Sequence, residues 1–136
     1  MSEAYLEQAI EWRRSLHRCP QPAWLEFYAT AFAAEKLSNW GYELKLGREI
    51  IKEGEQLLLP TEKVLQAEYE RAIQAGANPA YLEPARGGFT GVVAVLKGPV
   101  PGPTVAFRFD IDSNEVMESD EASHRPAAAG FRSKNP

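Results

Sequence analysis

Cysteine is almost missing from this 136-residue chain, where Cys19 stands alone. A single thiol cannot close an internal disulfide, so no disulfide framework holds the fold. Histidine is nearly as scarce, with only His17 and His124. One Cys and two His do not make a Cys/His zinc site within the chain. Positive charge is short as well: 15 Lys and Arg face 19 Asp and Glu, for a net charge of -4. That balance excludes a nucleic-acid binder led by phosphate contacts, and it leaves no polybasic patch for a membrane surface. Long apolar runs are missing too. The longest, Val92 to Leu96, falls far below the ~18 residues of a membrane span. Met1-Ser2-Glu3-Ala4 contains no apolar signal core, so a cytoplasmic protein is expected.

What is present is ordinary globular composition, with 44% hydrophobic and 25% charged residues. The length allows one domain or part of a larger one. Leu6, Ala9, Ile10 and Leu16 recur near 3.6 spacing and predict a helix over 2–18, with Ser2 as its N-cap and Pro20 and Pro22 as its stop. Trp24, Tyr28, Ala31, Phe32, Ala34 and Leu37 predict a second helix from Ala23 to Asn39, ended by Gly41. Tyr42 to Leu46 alternates as a half-buried strand does. Thr61 is placed to cap a third helix through Ala75, with Val64, Leu65, Ala72 and Ile73 on one side. Thr90 to Leu96 reads as a strand buried on both faces, and Thr104 to Asp110 as its neighbour, with Val105, Phe107 and Phe109 on one side. The turn-rich linker Gly98 to Pro103 makes the pair a hairpin at about 90–110. The expected class is α/β, in the order α-α-β-α-β-β-loop. Three strands are few for such a domain.

Several residues carry possible chemistry. Residues 110–121 hold Asp110, Asp112, Glu115, Glu118, Asp120 and Glu121 without a Lys or Arg. Crowded carboxylates need a cation, a proton or solvent, so the segment is either a carboxylate site or a solvated acidic loop. Asp110, Asp112, Asn114 and Glu121 follow a calcium-loop spacing, but Glu115 stands where that loop needs Gly. Arg86 to Gly91 is glycine-rich, yet it precedes a strand rather than opening a helix, so flexible strand entry is the better reading than phosphate binding. His17 and Cys19 are two apart on a helix, where side chains diverge, so packing outweighs a catalytic pair. His124, beside Arg125, is a substrate contact or an exposed loop side chain. Trp12, Trp24 and Trp40 fall on helix patterns and read as core.

Trp12 to His17 followed by Pro20, Glu26 and Thr30 resembles the opening block of the metal-dependent aminoacylase/carboxypeptidase amidohydrolases. Thr90 to Ala94 and Pro101 to Arg108 resemble the next two blocks. Arg108-Phe109-Asp110-Ile111-Asp112 resembles that family's Arg-x-Asp-x-Asp motif, and Glu118 matches a Glu six residues after the second Asp. Gly47-Arg48-Glu49 and the helical insertion after it are most similar to the p-aminobenzoyl-glutamate hydrolase branch. Ser133 to Pro136 resembles the run before the metal-binding block. The resemblance implies a two-domain hydrolase of N-acyl amino acids, with a di-metal α/β catalytic domain and a lid or dimerisation domain. Such enzymes activate a metal-bridging water, with a glutamate as general base. Zinc or manganese is the expected cofactor of a full-length member. Asp112 would be the near-metal carboxylate that orients a ligand, whereas Asp110 stands where other branches carry a metal-binding His and is not expected to be a ligand.

The chain also departs from the family pattern. Gln21 replaces the usual Glu after Pro20, and Ser113-Asn114-Glu115 replaces an Ala-Leu-Pro run. The family's His-Cys-Gly-His-Asp block is expected directly after Pro136. Residues 1–110 are thus expected to be the N-terminal part of the catalytic domain. Residues 111–136 are expected to form an acidic loop and truncated tail, with the lid absent. The chain alone is expected not to hydrolyse amides and to hold no metal. Its expected partners are the missing C-terminal part or a second copy of itself, with a small acyl amino acid as substrate of the full-length enzyme. The alternative is a non-enzymatic remnant serving as a binding or assembly module.

Overall fold

A computed structural model of the chain describes residues 3–114 and 116–134. The expected Ser2 cap, Glu115 and the end of the Ser133 to Pro136 run lie outside them. Helix α1 runs Glu3–Arg18 and stops before Pro20, as the proline pair requires. None of its residues is buried, and Tyr5 and Leu6 are exposed. Its apolar stripe therefore lies outside the main core.

Helix α2 is Phe27–Asn39, four residues later than the Ala23 start expected. Pro22 to Leu25 forms a turn closed by Leu25 N–H on the Pro22 carbonyl at 3.0 Å, and Trp24 sits at φ 67. A left-handed residue breaks a helix, so Trp24 is no helix-face residue. Its indole Nε1 instead donates to the Leu57 carbonyl at 2.8 Å. Gly41 ends α2 at φ 83, while Tyr42 N–H returns to the Leu37 carbonyl.

The core forms around α2. Phe27 and Ala31 are fully buried against Leu65, Tyr69 and Ala72 of α3 (Glu62–Gln74), and against Leu82 of α4 (Pro79–Leu82). Small side chains at Ala31 and Ala34 let α4 approach closely. Phe27 and Tyr69 meet edge to face, with ring centroids 5.6 Å apart. Leu65, Tyr69 and Ala72 follow a four-then-three spacing, so the buried stripe of α3 excludes Val64 and Ile73, which are exposed. Thr61 occupies the cap position of α3, but its hydroxyl makes no capping bond. Asn78 does cap α4, its side chain accepting from Ala80 N–H at 3.1 Å.

The sheet corrects one expectation. β1 (Glu43–Leu46) pairs antiparallel with β2 (Val92–Val95), Glu43 opposite Val95 and Leu46 opposite Val92. No hairpin forms at 90–110, and residues 104–110 join no strand. The linker contains Pro99, Pro101 and Pro103, which lack N–H donors and fix φ, so they oppose a tight hairpin turn. β2 takes the edge of β1 instead. It is not buried on both faces either: Val93 and Val95 are exposed, while Val92 and Ala94 are half-buried. The helices and small antiparallel sheet make a mixed α and β architecture.

The segment after Asp110 also differs from a plain loop. It runs back along α1, contains a short helix α5 (Arg125–Ala128) and buries Phe131. Ser113 N–H donates to the Gln21 carbonyl at 3.0 Å, and Lys134 N–H to the Arg18 carbonyl at 2.9 Å. Pro126 is compatible with α5 because it sits in the first turn, where an N–H has no helical partner.

Candidate functional site

The acidic segment is divided by its partners rather than gathered. Asp110 is exposed and accepts from Arg108 Nη2 at 2.9 Å. Asp112 is exposed too, but it faces a different neighbour. Its next residue, Ser113, is pinned to the Gln21 carbonyl through both N–H and Oγ, the latter at 3.2 Å. That pin holds Asp112 near Glu26, at the N-terminus of α2, within reach of its charge.

Glu26 is half-buried, and burial pushes its carboxyl above the usual carboxylate range. The hydrogen bond from Thr90 Oγ1, at 2.6 Å, opposes that rise, and the Asp112 charge adds to it. Thr30 accepts the Gly91 N–H at 2.7 Å through its hydroxyl. Two threonines thus tie the entry of β2 to the first turn of α2 and hold Glu26 in place. This is what the glycine-rich stretch does: it brings Thr90 to Glu26 and leads into β2, with no helix N-terminus for a phosphate. Nothing in local spacing singles out Glu26. Its membership, with Thr30, in the opening block of the family resemblance is the available signal.

His17 and Cys19 are not a pair. The Cys19 thiol is buried, which raises its pKa, and it faces Arg71 Nη1 at 3.4 Å. His17 Nε2 instead meets Glu118 Oε1. Glu118 Oε2 accepts from Ser133 N–H at 2.9 Å and lies 3.6 Å from His124 Nε2. Burial works to raise the Glu118 pKa, but the Ser133 N–H and the two histidines outweigh it and hold the carboxyl low. His124 is therefore half-buried against Glu118 rather than free in a loop. In sequence, Glu118 stands out only as one of the acidic residues of 110–121 and by its position after Asp112. Neither histidine signals this 101-residue closure from α1 to the tail.

The calcium-loop residues do not converge, and Glu121 turns to Ser123 Oγ at 3.4 Å. Among the described residues, no three His, Cys, Asp or Glu side chains are grouped to hold a metal ion. The donors near Asp112 amount to two carboxylates, one of them bound by Thr90. This donor set does not fit a di-metal centre by itself. Trp12 and Trp40 pack with ring centroids 5.5 Å apart and planes tilted by 55°, and Trp40 is exposed, so they form a surface pair rather than core.

No protein-family model matches the chain. Individual proteins do. A p-aminobenzoyl-glutamate hydrolase subunit of Escherichia coli (strain K12) is 44% identical over 124 residues, which is 91% of this chain and 28% of that protein. The indole-3-acetyl-aspartic acid hydrolase of Enterobacter agglomerans is 40% identical over 131 residues, 96% of this chain and 30% of that one. In structure, the aminobenzoyl-glutamate utilization protein of Klebsiella pneumoniae matches with a TM-score of 0.77 at 40% identity, covering 83% of this chain and 30% of that chain. The chain thus spans less than a third of the length of these relatives. The resemblance to the p-aminobenzoyl-glutamate hydrolase branch holds in sequence over nearly the whole chain, and in structure over most of it. Among the described residues, no helix is long and apolar enough to cross a membrane.

Proposed function

We propose that this chain is the N-terminal part of the catalytic domain of a metal-dependent amidohydrolase that cleaves N-acyl amino acids such as p-aminobenzoyl-glutamate in the cytoplasm. Residues 1–110 belong to the α/β catalytic body, and residues 111–136 carry the acidic loop beside the site. The lid domain and the zinc or manganese ligands come from sequence outside these residues. One observation carries the reading. Asp112, placed by the motif resemblance, lies in the field of Glu26, a carboxyl whose pKa is raised by burial at the entry of α2. A half-buried carboxyl with a raised pKa, set beside a second carboxylate, is the kind of group that concentrates at functional sites. Asp112 is the proposed near-metal carboxylate, with the role of orienting a ligand.

Among the described residues no donor set for the reaction is assembled, so the 136-residue protein is expected to release no p-aminobenzoate from p-aminobenzoyl-glutamate with zinc or manganese present. Turnover by the pure 136-residue protein would sink that part of the proposal. In a chain extended to the length of the relatives, Asp112→Asn is expected to lower kcat by about 10–100-fold, as loss of a partner that orients a ligand does. Unchanged kcat would remove Asp112 from the site. The exposed Val105, Phe107 and Phe109 favour assembly with the remainder of such an enzyme, or with a second copy, over a solitary binding module.

A further inference from the structure

A second concavity lies between the C-terminal half of α1 and the chain from Arg125 to Phe131. Its volume is about 350 Å³, and Arg13, Arg14, His17 and Arg125 line it beside Phe131. It shares no residue with the Glu26–Asp112 pair. That volume falls within the range of small-molecule sites. Among the described residues no acidic side chain lines it, although the chain as a whole is negative.

Phe131 fixes two of the cations. The guanidinium carbons of Arg13 and Arg14 stand 5.2 and 5.0 Å from its ring centroid, within cation–π reach. Arg14 Nη1 donates to Glu11 at 3.0 Å, but Arg14 Nε is buried and has no hydrogen-bond partner. A buried N–H without a partner calls for an acceptor. Among the described residues, neither Arg13 nor Arg125 has an acidic partner. His17, on the same wall, is turned to Glu118. Three arginines line this one concavity, and an anion among them would offset their like charge. Their planar donor forks match carboxylate and phosphate oxygens.

We propose that this concavity is an oxyanion site, separate from the proposed amidohydrolase centre, that takes a small phosphate or carboxylate. The test is calorimetric titration of the 136-residue protein at constant ionic strength, with inorganic phosphate in one arm and glutarate in the other. Saturable single-site binding of at least one anion is expected. Tighter phosphate binding would assign the site to a tetrahedral anion, and tighter glutarate binding to a carboxylate. Arg13→Gln with Arg125→Gln is expected to weaken binding about tenfold or more, and the remote, exposed Lys52→Gln to leave it unchanged. Circular dichroism checks that the double variant is folded. If it is not, Arg125→Gln alone carries the same comparison, because Arg125 is exposed. No saturation by either anion up to about 50 mM, or binding indifferent to the arginines, overturns the proposal.

Discussion

Gln21 shows how one side chain sets a local preference. It is buried, and its Oε1 accepts Tyr28 N–H at 2.7 Å while its Nε2 donates to Glu68 Oε2 at 3.0 Å. An amide can accept on one side and donate on the other, which an ionised carboxylate cannot. The Glu usual in the resembled family would put a second carboxylate against Glu68, softened only by Arg71, which donates to Glu68 Oε2 from Nε at 2.9 Å. Gln21→Glu is therefore expected to destabilise the fold by about 1–3 kcal/mol at pH 7. Burial and the neighbouring charge would raise the new carboxyl's pKa. The loss should then be small in acid, where it is protonated, and should grow as pH rises through the carboxylate range. Urea midpoints at pH 4 and pH 7 measure it, and an equal loss at both would refute the account. Glu26 follows the same sign. Its folded pKa is raised, first by burial, so its contribution favours folding in acid and is lost as pH rises through the folded value. Glu26→Gln keeps an acceptor for Thr90 and is expected to stabilise the chain at pH 7 by about 0.5–2 kcal/mol, as removing a strained site group does. Thermal melts across pH should show the gain shrinking in acid.

At the scale of elements, the joint between β1 and the helices rests on one glycine. Gly47 sits at φ 60, and a Cβ there would lie 2.2 Å from the Pro84 carbonyl oxygen. Both objections are to backbone, which cannot swing aside as a side chain can. Gly47→Ala is expected to cost more than about 2 kcal/mol, while Gly54→Ala, with open space around its Cβ position, is expected to cost less. Denaturant midpoints for the two separate the steric clash from the φ penalty they share. What the sequence discloses follows from range. α2 and α3 are legible because a 3.6-residue period is local, and β1 because alternation is. The partner of β2 is not, since pairing with β1 joins residues about fifty apart and no short pattern encodes it. Trp24 reads as helical because apolar spacing says nothing of a left-handed φ. Asp112 stands out in sequence as part of the acidic segment, but its near-metal role is named only through the family resemblance. Its neighbour Glu26 emerges when α2, β2 and the pinned Ser113 come together in space.

For the whole molecule, the question is what covers its apolar surface. Val105, Phe107 and Phe109 are 68%, 79% and 80% exposed, the two phenylalanines stack at 6.4 Å, and Val93 and Val95 of β2 are exposed as well. Each Phe left in water forgoes about 1.5–3 kcal/mol of burial. Residues 104–110 also keep the alternation of a strand without a ladder to join, and β1–β2 is a two-stranded sheet with open edges. Unpaired edges and apolar rows invite another chain. The relatives are more than three times as long as the matched stretch, so the remainder of such an enzyme is one source of cover. In its absence, the 136-residue protein is expected to self-associate at micromolar concentration. Phe107→Glu with Phe109→Glu should shift it toward monomer in sedimentation velocity without lowering its thermal midpoint, because neither ring is part of the core. A wild-type chain that sediments as a stable monomer would show that this surface needs no partner. A double variant that unfolds would show that the two rings stabilise the fold itself.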